Sequence, residues 1–120
     1  MTKLLLAGAG GFAGSIVRYG ISLLMQKWTT SFPWATLLIN VLGCFLIGGV
    51  LPAVEGKPYL LVFLVPGVLG GFTTFSAFGH ETVRLAQGGT PVLAAAYVAA
   101  SVGLGLSAVW LGRALAQFMK

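Results

Sequence analysis

Long apolar runs separated by short polar turns dominate the chain, and they predict four helices. The first run extends from about Leu4 to Met25 and is interrupted only by Arg18. About 22 helical residues rise roughly 33 Å, enough for a hydrocarbon core of about 30 Å. Leu4-Leu5-Leu6 is too short for the apolar core of a secretory signal, so this segment reads as the start of the first span. The first polar loop covers Lys27 to Pro33, with Trp28 and Trp34 placed for the interfacial belt. The second run, Trp34 to about Val54, carries no charge, and Glu55-Gly56-Lys57-Pro58 turns the chain. A third run occupies about 59–87 and a fourth 92–112, with Gly88-Gly89-Thr90-Pro91 between them. Each is long enough to cross a bilayer and too long for a strand. The expected fold class is an all-α membrane protein, a single four-helix transmembrane domain over residues 1–120.

The third run is irregular. Gly67, Gly70 and Gly71 precede Thr73-Thr74, so a break is expected near residues 70–75, in mid-membrane. Non-helical backbone at that depth is tolerated only where it is buried in protein or lines a cavity. Carbonyls ending the first half-helix would suit a cation, and amides opening the second would suit an anion. A glycine-kinked helix, with Thr and Ser hydroxyls bonded back to their own turn, reads equally well at this level.

Composition supports the membrane. Hydrophobic residues make up 58% of the chain and charged residues 8%, against about 25% charged in soluble domains. Nine charges cannot dress a water-facing surface. Glycine, at 18 of 120, fits close helix packing, and Ala7/Gly11, Gly10/Gly14 and Ala99/Gly103 have the small-xxx-small spacing. The net charge of +5 comes from cations scattered singly, so they read as membrane-flanking charges, with no nucleic-acid stripe. The lone Cys44 excludes an intrachain disulfide and reads as a small apolar side chain.

Charge also bears on orientation. Four spans put Lys3, Lys57, Arg113 and Lys120 on one side, and Arg18, Lys27 and Arg84 on the other. That near-balance cannot orient the chain. Insertion both ways, with antiparallel pairing of two copies, is one explanation; a small but sufficient bias is the other.

Catalysis finds little to work with. There are two acidic residues, Glu55 and Glu81, one histidine and one cysteine, with no triad or metal-ligand spacing. The chain reads as no enzyme. His80 and Glu81 are adjacent and diverge on a helix; a solvated helix end suits both, and Glu81 also suits a pore mouth. Phe75 and Phe78 share a helix face, either as core or lipid contacts or as ring edges turned to an anion, with Ser76 between them as a donor. Asn40 is the only amide in the second run, so it is either interhelical glue or a donor to a passing ion. Arg18 is either a snorkelling side chain or a buried structural cation.

Three stretches together resemble the Fluc/CrcB family of fluoride channels. They are Gly10-Gly11-Phe12-Ala13-Gly14-Ser15-Ile16-Val17-Arg18-Tyr19, Pro33-Trp34-Ala35-Thr36-Leu37-Leu38-Ile39-Asn40-Val41-Leu42-Gly43-Cys44-Phe45, and Gly70-Gly71-Phe72-Thr73-Thr74-Phe75-Ser76-Ala77-Phe78. The resemblance covers nearly the whole chain. It implies a dual-topology antiparallel homodimer in the bacterial inner membrane, with two parallel fluoride pores. Phe75 and Phe78 match the pore phenylalanines and Asn40 the pore asparagine. Backbone carbonyls of Gly70 and Thr73 match ligands of a central structural Na+. Ser76, Tyr97 and Ser101 resemble a polar track, with Thr74 an addition and Glu81 a carboxylate near its mouth. Ala77, Ala35 and Gly105 depart from the family pattern, which affects the track and not the pore. A four-helix multidrug-type exporter, the main rival, needs a carboxylate in its first span, and residues 4–25 hold none. A helical assembly subunit without transport is the second rival; it explains the glycines but not the polar Gly-Thr-Thr break.

Overall fold

The computed structural model describes residues 1–119; Lys120, counted in the charge balance above, lies outside them. Helix α1 covers Thr2–Leu24, α2 Trp34–Ala53, α3 Pro58–Val62, α4 Gly70–Phe72, α5 Phe75–Gln87 and α6 Pro91–Phe118, with a π-helical stretch over Phe63–Leu69 between α3 and α4. Taken together, Thr2–Leu24, Trp34–Ala53, Pro58–Gln87 and Pro91–Phe118 are four segments long and apolar enough to cross a membrane. Proline at the first position starts α3 and α6, where its missing N–H is not needed. Gly56 and Gly89, at φ of +75° and +83°, make the tight turns before them. Helix α6 continues past Arg113 because Ala114, Leu115 and Ala116 keep helix propensity where the apolar run ends.

The third segment changes its winding twice. Pro66 lies inside the π-helical stretch. A proline there lacks the amide hydrogen and its ring crowds the preceding turn, and the wider winding accommodates both. Beyond α4 the backbone extends at Thr73 (φ −85°, ψ 158°) and Thr74 (φ −149°, ψ 116°) before α5 begins.

Glycine sets the helix contacts. Helix α1 lies against the π-helical stretch and α4 with backbone touching backbone. A methyl group at Gly10 would come within 2.8 Å of the Val68 amide nitrogen, and one at Gly14 within 2.8 Å of the Phe72 nitrogen. Gly71 meets the backbone of Gly11. Helix α2 packs on α6 in the same way, Gly48 against Val109 and Gly112 against Phe45. Among the expected small-residue pairs, Gly10/Gly14 makes such a contact, whereas Ala99 and Gly103 face outward. Cys44 sits opposite Gly105, Gly48 opposite Val109 and Gly49 opposite Gly112, so α2 and α6 run parallel. Much of the remaining apolar surface is exposed, including Leu4, Phe12, Val92 and Trp110, as lipid-facing helices require.

Candidate functional site

Asn40 holds the extended turn. Its Nδ2 donates to the Thr74 carbonyl at 3.0 Å, and its Oδ1 accepts from the Thr74 amide at 2.9 Å. One side chain thus satisfies both backbone groups of a residue that has left the helix. The Thr74 amide would close on the Gly70 carbonyl in a continuous helix; here it goes to Asn40. The Ala77 amide, which would close on Thr73, donates to Thr74 Oγ1 at 3.2 Å, capping α5. Both diversions release the carbonyls of Gly70 and Thr73 from their usual helical donors. Ser76 Oγ lies 3.3 Å from Thr74 Oγ1 in the same turn.

Arg18 works on the other face of the break. Its Nε donates to the Gly71 carbonyl at 3.0 Å, and Ser15 Oγ approaches the same oxygen at 3.4 Å. The Phe75 amide would have taken that carbonyl in a continuous helix, so the guanidinium replaces a lost backbone donor.

An open-sided cavity of about 400 Å³ lies between the third segment, α2 and α6. It brings together Asn40, Gly70, Thr73, Thr74, Phe75, Phe78 and Ser101 from the sequence candidates, and adds Gly43 and Cys44. The Ser101 hydroxyl oxygen is buried and has no hydrogen-bond partner among the described residues. Phe75 is 83% exposed at the open side, and its ring centre lies 5.5 Å from that of Phe78. A file of rings continues from there: Phe78 to Tyr97 at 5.2 Å, Tyr97 to Phe32 at 5.4 Å edge-on, and Phe32 to Trp34 at 4.5 Å.

Glu81, Tyr97 and Arg18 lie outside that cavity's lining. Glu81 is half-buried, with Thr36 Oγ1 donating to its Oε1 and Tyr97 OH to its Oε2, each at 2.8 Å. Neither residue sits at a helix end: both lie in the middle of α5, where His80 is exposed and Glu81 is paired. Sequence reasoning missed Thr36. The available signal was its position one turn before Asn40 on an otherwise apolar helix, which puts both on one face. Tyr97 is fully buried, so its hydroxyl depends on the carboxylate. Tyr97→Phe keeps the ring contacts and removes one hydrogen bond to a charged group. It is expected to lower stability by about 1.5–3 kcal/mol, read as a drop in the thermal midpoint of the purified protein; an unchanged midpoint would show the bond to be idle.

The model of the family described as "CrcB-like protein, Camphor Resistance (CrcB)" matches residues 5–113. A relative from Rhizobium meliloti (strain 1021), named fluoride-specific ion channel FluC, is 45% identical, with 99% of each chain covered.

The chain belongs to the CrcB family.

Relatives of the same name from Thermus thermophilus, 46% identical over 93% of each chain, and Flavobacterium psychrophilum, 42% identical over 90% of this chain and 91% of the relative, agree. These CrcB-family relatives are ion channels and not enzymes. With four apolar helices of spanning length, this CrcB chain is a multi-pass membrane protein, and the exporter and assembly-subunit readings fall away.

Proposed function

We propose that this chain is a fluoride-selective channel that passively exports F− across the bacterial inner membrane. It works as an antiparallel, dual-topology homodimer with two pores, and the extended Thr73-Thr74 turn lies in mid-membrane. The observation that carries this reading is the Asn40–Thr74 pairing, which keeps unwound backbone satisfied beside a cavity where Phe75, Phe78 and the unpartnered Ser101 hydroxyl converge. The names of the relatives support fluoride as the ion.

The chemistry suits a small, strongly hydrated anion. Leaving water requires replacement donors, and a fixed positive charge at the narrowest part would hold the ion too tightly to conduct. Neutral groups avoid that trap: the second hydrogen of the Asn40 amide, the hydroxyls of Thr74, Ser76 and Ser101, and the positive ring edges of Phe75 and Phe78; the Tyr97 hydroxyl is committed to Glu81. Arg18 is committed to Gly71, behind the turn. Glu81, held by Thr36 and Tyr97, stands at the mouth end of the aromatic file.

A structural Na+ fits the released carbonyls. Hard cations take oxygen ligands, and Gly70 and Thr73 both line the cavity, to which a second copy would bring its own pair. The ion would supply charge compensation for carbonyls that have lost their helical donors.

The deciding experiment loads liposomes with fluoride and reads efflux on a fluoride electrode, with chloride efflux measured in parallel. Fluoride passing freely while chloride is retained is the expected result, and replacing sodium with a bulky organic cation should weaken the dimer. Equal passage of both ions, or uptake that requires a proton gradient, overturns the reading.

A further inference from the structure

The two residues of the extended turn meet α2 at neighbouring places on one face. Thr74 is held there by Asn40 through both of its backbone groups. Thr73 meets Gly43, which is buried and stands three residues beyond Asn40, a spacing that keeps both on one side of the helix. A methyl group at Gly43 would overlap the Thr73 methyl carbon and would touch Phe72 Cδ1 at 3.5 Å. The space that glycine leaves is therefore the seat of the Thr73 methyl.

The rest of Thr73 is fixed as well. Its Oγ1 and its amide both donate to the Leu69 carbonyl, each at 3.0 Å. A β-branched side chain is stiff about χ1, and chirality at Cβ places the methyl once the hydroxyl is placed. Thr73 is also where the backbone leaves the helix, at ψ 158°, and ψ is the angle that aims a residue's own carbonyl.

We propose that Gly43 is a positioning residue for the extended turn: by seating the Thr73 methyl it keeps that side chain on Leu69 and aims the Thr73 carbonyl. The proposal rests on the channel reading above, in which that carbonyl ligates Na+ and the turn beyond it places Phe75. With a methyl at position 43, Thr73 gives up its side-chain bond to Leu69, or the turn steps away from α2 and draws Thr74 off Asn40. A serine at position 73 keeps the hydroxyl and lacks the methyl. The effect of Gly43→Ala thus depends on what stands at position 73.

The test compares full-length wild type, Gly43→Ala, Thr73→Ser and the double variant in fluoride-loaded liposomes. In the threonine background Gly43→Ala is expected to slow efflux about tenfold or more, and in the serine background less than about twofold. Thermal midpoints in sodium and in a bulky organic cation give a second readout. Gly43→Ala is expected to lose the protection that sodium gives, and the double variant to keep whatever protection Thr73→Ser has. Wild-type efflux in Gly43→Ala overturns the proposal, as does equal slowing in both backgrounds. Coupling in the midpoints without coupling in efflux makes Gly43 a packing residue only, which also overturns it. If Gly43→Ala yields no folded protein, the double variant must recover it, and failure to do so has the same meaning. If wild-type protein passes no fluoride, the channel reading fails by itself, and the four midpoints then decide whether Gly43 seats Thr73.

Discussion

Asn40→Leu is expected to abolish fluoride efflux while leaving a protein that still inserts as helices. Leucine has nearly the same size, so the change removes hydrogen bonding more than volume. The Thr74 amide and carbonyl, now held at 2.9 and 3.0 Å, would both be left unpaired. Each orphaned group costs about 1–3 kcal/mol in a protein interior, and hydrocarbon offers no water to soften that. Even about 3 kcal/mol shifts a conformational equilibrium by roughly a hundredfold. The turn would rewind or collapse, taking the placement of Phe75 and Phe78 with it. Asn40→Asp is a sharper companion: it keeps an acceptor for the Thr74 amide but turns an anionic oxygen towards the Thr74 carbonyl. Efflux by fluoride electrode and helicity by circular dichroism check both. Normal efflux in Asn40→Leu would show that the pairing with Thr74 is dispensable.

Gly14→Ala is expected to destabilise the fold by driving α1 off the third segment. Its methyl group would overlap the Val68 carbonyl and press on the Phe72 amide, and both are backbone atoms that cannot swing aside. Overpacking in a close-packed interior costs about 1–3 kcal/mol and at times more. Here α1 must step away from the third segment, so the Arg18 and Ser15 contacts with Gly71 loosen as well. Gly8→Ala is the control. Among the described residues nothing lies within 4 Å of its added methyl group, and helix propensity favours alanine by about 0.8–1 kcal/mol. Thermal melts followed by size-exclusion chromatography should show early loss of the Gly14→Ala protein and an unchanged or later loss for Gly8→Ala. Equal behaviour of the two would remove glycine contact as the force holding α1.

The four helices were legible because hydropathy is a property of each run by itself. The interest of Gly70 to Phe78 was legible for a similar reason: two glycines followed by two threonines are unusual inside an apolar run. What pairs with what was not. Asn40 could be placed in the protein interior from the cost of an unpaired amide, yet its attachment to both groups of Thr74 depends on where α2 meets the third segment. Sequence alone allows Arg18 to snorkel or to serve structure, and the Gly71 carbonyl opposite its Nε decides for structure. Sequence alone favours a solvated helix end for Glu81 over a pore mouth, because Thr36 and Tyr97, which hold it, approach from two other helices. The π-helical winding at Pro66 also escaped notice, since proline in a membrane helix can equally be absorbed as a kink. The α2–α6 register, with Cys44 beside Gly105, is not legible in the sequence either, because it depends on how two helices distant in the chain meet.

The bond between Arg18 and Gly71 has a consequence for biosynthesis. Donor and acceptor are 53 residues apart in the chain, so the first helix is made before its acceptor. An arginine within a span and still unpaired costs up to about 2.5–3.5 kcal/mol on insertion scales, the upper figures applying at a helix centre. Until the third segment arrives, the nascent helix lowers that cost by riding shallow, its guanidinium among the lipid headgroups. Its final depth in the bilayer is thus settled late, by a carbonyl delivered from downstream.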